Sequence, residues 1–191
     1  MGAKSRRKGA KGELTVSRIL SAWWVGDTTL LKAKATDLPI RRTPLSGGWA
    51  KGSGLGGDLV SVKPEASSFG IFCVEVKNQE RWQLEGMLKD KKWPVHGWWR
   101  QCRTESKNAH AIPLLVFTRN QHPWYFRMRK SQFNILCADR RAELVRENFI
   151  FHKGSVYGLL DTFISTFSPG DCLRAFHAKV TFGGAGKRNI R

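Results

Sequence analysis

Within Cys73-Val74-Glu75-Val76-Lys77, an acid and an amine stand two residues apart in an otherwise apolar stretch. Read as a strand, the segment alternates, so Glu75 and Lys77 project from one face and Val74 and Val76 from the other. Burying such a pair is costly unless something compensates. A divalent cation held by carboxylates would do so, with Lys77 polarising the attacking water or steadying a phosphate. Two further carboxylates are candidates for the same centre: Asp58, which follows Gly56-Gly57, and Glu13, much earlier in the chain. The chemistry this set suits is metal-dependent phosphodiester hydrolysis.

Those side chains can meet only if several elements bring them together. At about 100° per residue, residues 5–24 read as a helix, with Ala10, Leu14, Val16, Ile19, Leu20, Trp23 and Trp24 in one broad arc. Glu13 lies near the middle of that arc, where a carboxylate needs a partner; a glutamate favoured by the helix N-terminus is the plainer alternative. A loop is expected over residues 25–37 and a short strand over Leu38–Thr43, carrying Arg41 and Arg42. Ser46–Gly57 holds six glycines in twelve residues. It contains a match to GxGxxG, but a strand and not a helix follows, which argues against a dinucleotide site. No Gly-Lys-Ser/Thr is present, so a phosphate loop of the nucleotide-binding kind fails too. What remains is a loop whose backbone could approach a phosphate chain closely, or an ordinary hairpin loop.

Asp58–Val62 and Gly70–Lys77 read as strands, and antiparallel pairing between them would set Asp58 beside Glu75 or Lys77. Residues 78–94 look irregular. Residues 97–109 form a helix carrying Trp98, Trp99, Gln101 and Cys102, and Ile112–Thr118 and Trp124–Met128 form two more strands. Val156, Leu159, Leu160, Phe163, Ile164 and Phe167 recur at helical spacing and Pro169-Gly170 ends the run, giving either core or a dimer face. Gly183–Arg191 reads as a basic tail. The expected organisation is a core over residues 1–130 and a helical extension with basic tail over 131–191.

Composition narrows the partner. The chain has 191 residues, 41% of them hydrophobic, and a formal net charge of +18. That is enough for one folded domain, and the surplus of cations points to a polyanion, nucleic acid being the commonest. Residues 1–57 alone hold eleven Lys or Arg against three acids. No apolar run approaches the ~18–20 residues of a membrane span, and no apolar core of a secretory signal follows the basic start. Four cysteines (Cys73, Cys102, Cys137, Cys172) lie far apart without a CxxC, which suits reduced, partly buried thiols in a cytoplasm. The tryptophans Trp23, Trp24, Trp98 and Trp99 fit core or interface better than base-stacking platforms.

Taken in order, the helix with Glu13, Asp58 opening a strand, Glu75-x-Lys77 on the next, and the helix with Gln101 resemble the restriction-endonuclease-like, or PD-(D/E)xK, nucleases. Within them the chain is similar to archaeal-type Holliday junction resolvases and their phage relatives. This rests on Arg7-Lys8-Gly9-Ala10-Lys11-Gly12-Glu13, Arg41-Arg42 followed by Ser46, Asp58-Leu59-Val60 and Cys73–Lys77, and it covers about residues 6–128. Leu14 stands where that family has an arginine, the glycine loop is longer, and residues 129–191 have no counterpart. The resemblance implies an α/β fold with a central mixed sheet flanked by helices. It implies Mg²⁺ (or Mn²⁺) on Asp58, Glu75 and the Val76 carbonyl, with Glu13 holding a water of the ion or assisting a second ion, and Lys77 orienting the nucleophile. Arg6, Arg7, Lys8, Lys11, Arg41, Arg42, Ser46 and Lys51 would contact DNA, and Gln101 is a weaker candidate for the site. The implied protein is a homodimer cutting branched DNA symmetrically in the cytoplasm of a prokaryotic cell or phage-infected host. A nuclease of the same fold acting on linear duplex, and a basic nucleic-acid binder without catalysis, are the alternatives.

Overall fold

The longest apolar run without a charge, Ile112–Thr118, is buried at all seven residues, as a strand covered on both faces must be. It is the second strand of the sheet that organises the computed structural model, which describes residues 3–43, 56–89, 92–137 and 147–183. In chain order the elements are helix α1 (Ala3–Val25), strands β1 (Ile40–Arg42), β2 (Leu59–Ser61) and β3 (Phe72–Asn78), helices α2 (Gly86–Lys89) and α3 (Pro94–Asn108), and strands β4 (Ile112–Thr118) and β5 (Tyr125–Arg129). Helix α4 (Lys130–Leu136), strands β6 (Ile150–His152) and β7 (Ser155–Leu159), and helices α5 (Leu160–Thr166) and α6 (Pro169–Gly183) complete the series. Five strands form one mixed sheet in the order β3-β4-β5-β7-β6, with β3 and β4 parallel and the other neighbours antiparallel. This is the expected α/β architecture of a mixed sheet flanked by helices.

The sheet separates two cores. Alternation along β3 to β7 sends Val74, Val76, Leu114, Val116, Phe126, Met128 and Val156 to one face, where they meet Val16, Leu20 and Trp24 of α1 and Phe163 and Phe167 of the C-terminal region. The opposite face carries Leu115, Phe117 and Tyr157 under Trp82, Trp93, Val95, Trp99 and Cys102. Seven of the eight tryptophans are buried in these cores or packed against them, as expected for Trp23, Trp24, Trp98 and Trp99; Trp49 lies outside the described residues. All four cysteines are buried, and none is in a disulfide.

Three expectations need correction. Asp58–Val62 does not pair along Gly70–Lys77. Instead β2 pairs antiparallel with β1 in a separate two-stranded ribbon, because a 3₁₀ turn over Pro64–Ile71 carries the chain away between β2 and β3. The ribbon still reaches β3 through Asp58, whose N–H donates to the Val74 carbonyl at 2.7 Å. Second, Val156–Phe167 is not one helix. Its first part is β7, held against β5, and α5 starts only at Leu160. Gly158 lies so close to Phe149 that an added Cβ would sit 2.6 Å from its ring. The apolar stripe is nonetheless core, with Leu160, Phe163 and Phe167 buried. Third, residues beyond 130, expected as a helical extension, supply β6 and β7 to the central sheet, so the sheet crosses that boundary. Pro169 does follow the end of α5, but it also opens α6. Asp171 accepts the Ser168 N–H at 2.7 Å, and the Asp171 N–H donates back to the Ser168 hydroxyl at 3.2 Å, a reciprocal helix start. The expected tail lies outside the described residues apart from Gly183.

Candidate active site

The site assembles at the edge of the sheet, where β3 has a strand neighbour on one side only among the described residues. Two close backbone approaches build it. Gly12 of α1 lies against the end of β3, and a Cβ there would sit 2.9 Å from the Cβ of Asn78, so glycine lets the helix bring Glu13 down onto the strand. Gly57 has φ +92°, and a Cβ there would meet the Val74 carbonyl at 2.5 Å. No other residue type fits that path without displacing the strand. Beyond Gly57 the chain places Asp58 so that its Oδ2 accepts the Val76 N–H at 2.8 Å. The polar side chains of α1 serve the same docking, since Ser21 accepts the Ile40 N–H at 3.2 Å and Ser17 donates to the Ile40 carbonyl.

Glu13, Asp58, Glu75 and Lys77 therefore converge. The Lys77 ammonium bonds to Glu75 Oε1, while Glu75 Oε2 is buried without a hydrogen-bond partner. Glu13 is 8% exposed, as its position in the apolar arc required, and it is paired with Arg42. Burial, then repulsion from Asp58, raises the Glu75 carboxyl to about 8 despite the nearby Lys77. Burial also raises Asp58, against the pull of Lys77 and the Val76 N–H, and it raises Glu13, to which Asp58 adds. For Lys77, burial acts to lower its pKa but is outweighed by Glu75 and Asp58, so the amine is held charged.

One further carboxylate belongs to this centre and was missed. Glu105 of α3 accepts the Gly57 N–H at 3.1 Å and adds to the negative field at Asp58 and Glu75. Gln101, one turn earlier, donates to Glu105 Oε1 at 3.1 Å and is otherwise exposed. The signal available was that i,i+4 pairing on one helix face; what it could not show was that α3 lies beside the Gly56-Gly57 turn.

The expected DNA contacts divide. Arg6, Arg7 and Lys11 are exposed on α1, and Lys8 is paired with Glu80. Arg41 donates to the Leu38 carbonyl at 2.8 Å and also to that of Thr36, and Arg42 is taken up by Glu13 while half of its side chain remains exposed. Ser46 and Lys51 lie outside the described residues.

Over residues 4–173 the sequence matches the protein family described as "Phage putative PDDEXK endonuclease". The chain belongs to that family. No curated protein and no solved structure matches it significantly. A PD-(D/E)xK endonuclease is a nuclease, hence a phosphodiester hydrolase, and such enzymes generally use divalent metals. The donor set here fits a hard cation: carboxylate oxygens, one of them buried and unpartnered, in a centre where negative charge exceeds positive. Among the described residues no three Asp, Glu, His or Cys side chains form a ready-made cage. Among the same residues, no helix of this PD-(D/E)xK protein is long and apolar enough to cross a membrane.

Proposed function

We propose that this protein is a Mg²⁺-dependent, structure-selective DNA endonuclease that acts as a homodimer, resolving four-way junctions by paired symmetric nicks. The observation that carries the reading is the meeting of Glu13, Asp58, Glu75 and Lys77 at one sheet edge from three separate elements. Asp58 and Glu75, with the Val76 carbonyl, would hold the ion, and Mn²⁺ would substitute. When bound, the ion supplies positive charge at the reacting phosphate and a more acidic water. The chain supplies the rest. The Val76 N–H fixes the Asp58 carboxylate, Lys77 offers a charged donor to the nucleophile or a phosphate oxygen, and Arg42 pairs with Glu13 where that side chain can orient water. Arg6, Arg7 and Lys11 present charge to the DNA backbone.

Selection of branched DNA is supported by the resemblance of Arg7–Glu13, Asp58–Val60 and Cys73–Lys77 to junction resolvases, and a two-fold enzyme matches a substrate cut at two related strands. With ~6 phosphates neutralised per protomer, the slope of log affinity against log salt should be near −5. A cytoplasmic setting, in a prokaryotic or phage-infected cell, agrees with four buried cysteines outside disulfides. The test is cleavage of labelled synthetic junctions and matched duplexes, with and without Mg²⁺, each strand sized on a denaturing gel. Paired symmetric cuts in the junction alone are expected. Equal cutting of duplex would remove the resolvase assignment, and cutting by pure Glu75→Gln protein would remove the site.

A further inference from the structure

Helix α3 has two flanks besides the face it buries. At 100° per residue, Val95, Trp99, Cys102 and Ser106 form the buried stripe, and Gln101 and Glu105 fall on one side of it, toward the catalytic turn. On the other side fall His96, Arg100, Arg103 and Lys107, one above the next. They line a cavity of about 290 Å³ with Trp99 and Thr104. Beneath it lies Arg127 of β5, only 6% exposed.

Arg127 is held as few arginines are. Its guanidinium stacks on Trp99 at 4.8 Å and on Tyr157 at 4.9 Å from the ring centres. Its Nε donates to the Ser155 hydroxyl at 3.1 Å, and Nη1 lies 3.4 Å from the His96 ring nitrogen. Burial, with Arg103 adding repulsion, lowers its pKa to about 10. The neighbouring Arg129 is also lowered by burial and Arg103, and its Nε is buried without a hydrogen-bond partner. Among the described residues, no carboxylate pairs with Arg100, Arg103, Lys107, Arg127 or Arg129. Aromatic stacking explains how Arg127 is tolerated; it does not explain why Arg103 adds its charge there, with Arg100 and Lys107 on the same cavity and no acid paired to any of them. The buried Arg127 charge is costly without a counter-ion, and planar guanidinium groups match phosphate oxygens in pairs.

We infer that this outer flank of α3, over Arg127, is a second phosphate-binding surface that seats the backbone of duplex DNA away from the cut. It rests on the DNA reading above but uses none of the catalytic residues. Register gives its position. Glu75, Leu115, Arg127 and Tyr157 are successive partners across β3, β4, β5 and β7, so Arg127 lies two strands from Glu75, about 10 Å along the sheet. A duplex gripped there spans α3, with one phosphate at the catalytic edge and a flanking one over the helix.

The test is binding of the full-length protein to a fluorescent duplex in EDTA, where no cleavage is needed, over a range of salt. The exposed positions Arg100 and Arg103 are changed together to Ala and, in a second protein, together to Lys. Loss of two phosphate contacts should flatten the log affinity against log salt slope by about 1.8, so that the tightness advantage of the unaltered protein shrinks about tenfold between ~50 and ~200 mM salt. The Lys protein should keep the slope. An unchanged slope in the Ala protein overturns the surface, whatever the cleavage assay gives. A flattened slope upholds it even if no nuclease activity is found.

Discussion

The two flanks of α3 carry opposite surpluses of charge. On the side of Glu105, the carboxylates Glu13, Asp58 and Glu75 crowd one ammonium and one guanidinium, and burial raises all three acids. On the side of Arg103, buried and exposed guanidinium groups crowd together with no acid paired to them among the described residues, and burial lowers Arg127. The same helix and sheet support both, and packing alone explains neither. What the contrast teaches is that the two flanks suit opposite charges from outside, a cation at the sheet edge and, on the inference above, a phosphate over Arg127. The proposed metal-assisted cut of a polyanion would supply both.

The largest break of this contrast is at the acidic edge. Asp58→Asn or Glu75→Gln should lower cleavage by about a thousandfold, the scale lost when one electrostatic contributor at a reacting centre is removed, while duplex binding in EDTA survives because the basic flank is untouched. Denaturing gels and anisotropy on the same preparations check the two halves.

Next is the turn that delivers Asp58. Gly57→Ala places a Cβ against the Val74 carbonyl at a left-handed backbone position, and should cost about 2–3 kcal/mol, read from the shift in denaturant midpoint, with cleavage falling as Asp58 is displaced.

The acid cluster should also make stability depend on pH in an unusual direction. Folded Glu75 keeps its proton up to about pH 8 against an ordinary value of 4.5, so between those values the folded state binds more protons than the unfolded one. Stability of the metal-free protein therefore falls as pH rises from about 5 to 8, and Glu13 and Asp58, shifted the same way, add to it. Thermal melts in EDTA should lose about 5–10 °C over that window. Mg²⁺ should restore most at the alkaline end, and Glu75→Gln should flatten the profile. A melt that rises with pH would show that the carboxylates are not crowded.

The smallest effect concerns Glu105. Its Gln variant keeps an acceptor for the Gly57 N–H but loses a charge from the field at Asp58 and Glu75. Stability should change by less than about 1 kcal/mol and affinity for Mn²⁺ by a fewfold, the size of one charge at partial screening. Calorimetric titration of Mn²⁺ reads it.

Much of the candidate site was legible because local rules govern its parts. Alternation marked β3 and put Glu75 and Lys77 on one face; the helical arc exposed Glu13 as misplaced; a seven-residue apolar run identified β4 within its observed bounds. The errors fell where local pattern is ambiguous. Val156–Phe167 is apolar at positions that satisfy both a strand and a helix, and only pairing of β7 with β5 decides that its first half is extended. The pairing of β2 was misjudged because the ten residues between β2 and β3 read equally as a hairpin loop or, as here, a link with a 3₁₀ turn leading elsewhere.

By itself, the amino-acid order determined which groups could do chemistry and which element each rides on, since periodicity, turn residues and net charge act over a few neighbours. Only the tertiary structure decided their company: that Glu105 reaches the Gly57 turn, that Arg42 answers Glu13, and that Arg127 lies buried under a ridge of cations. Those meetings join residues tens of positions apart, and burial, not identity, sets what each charge costs there.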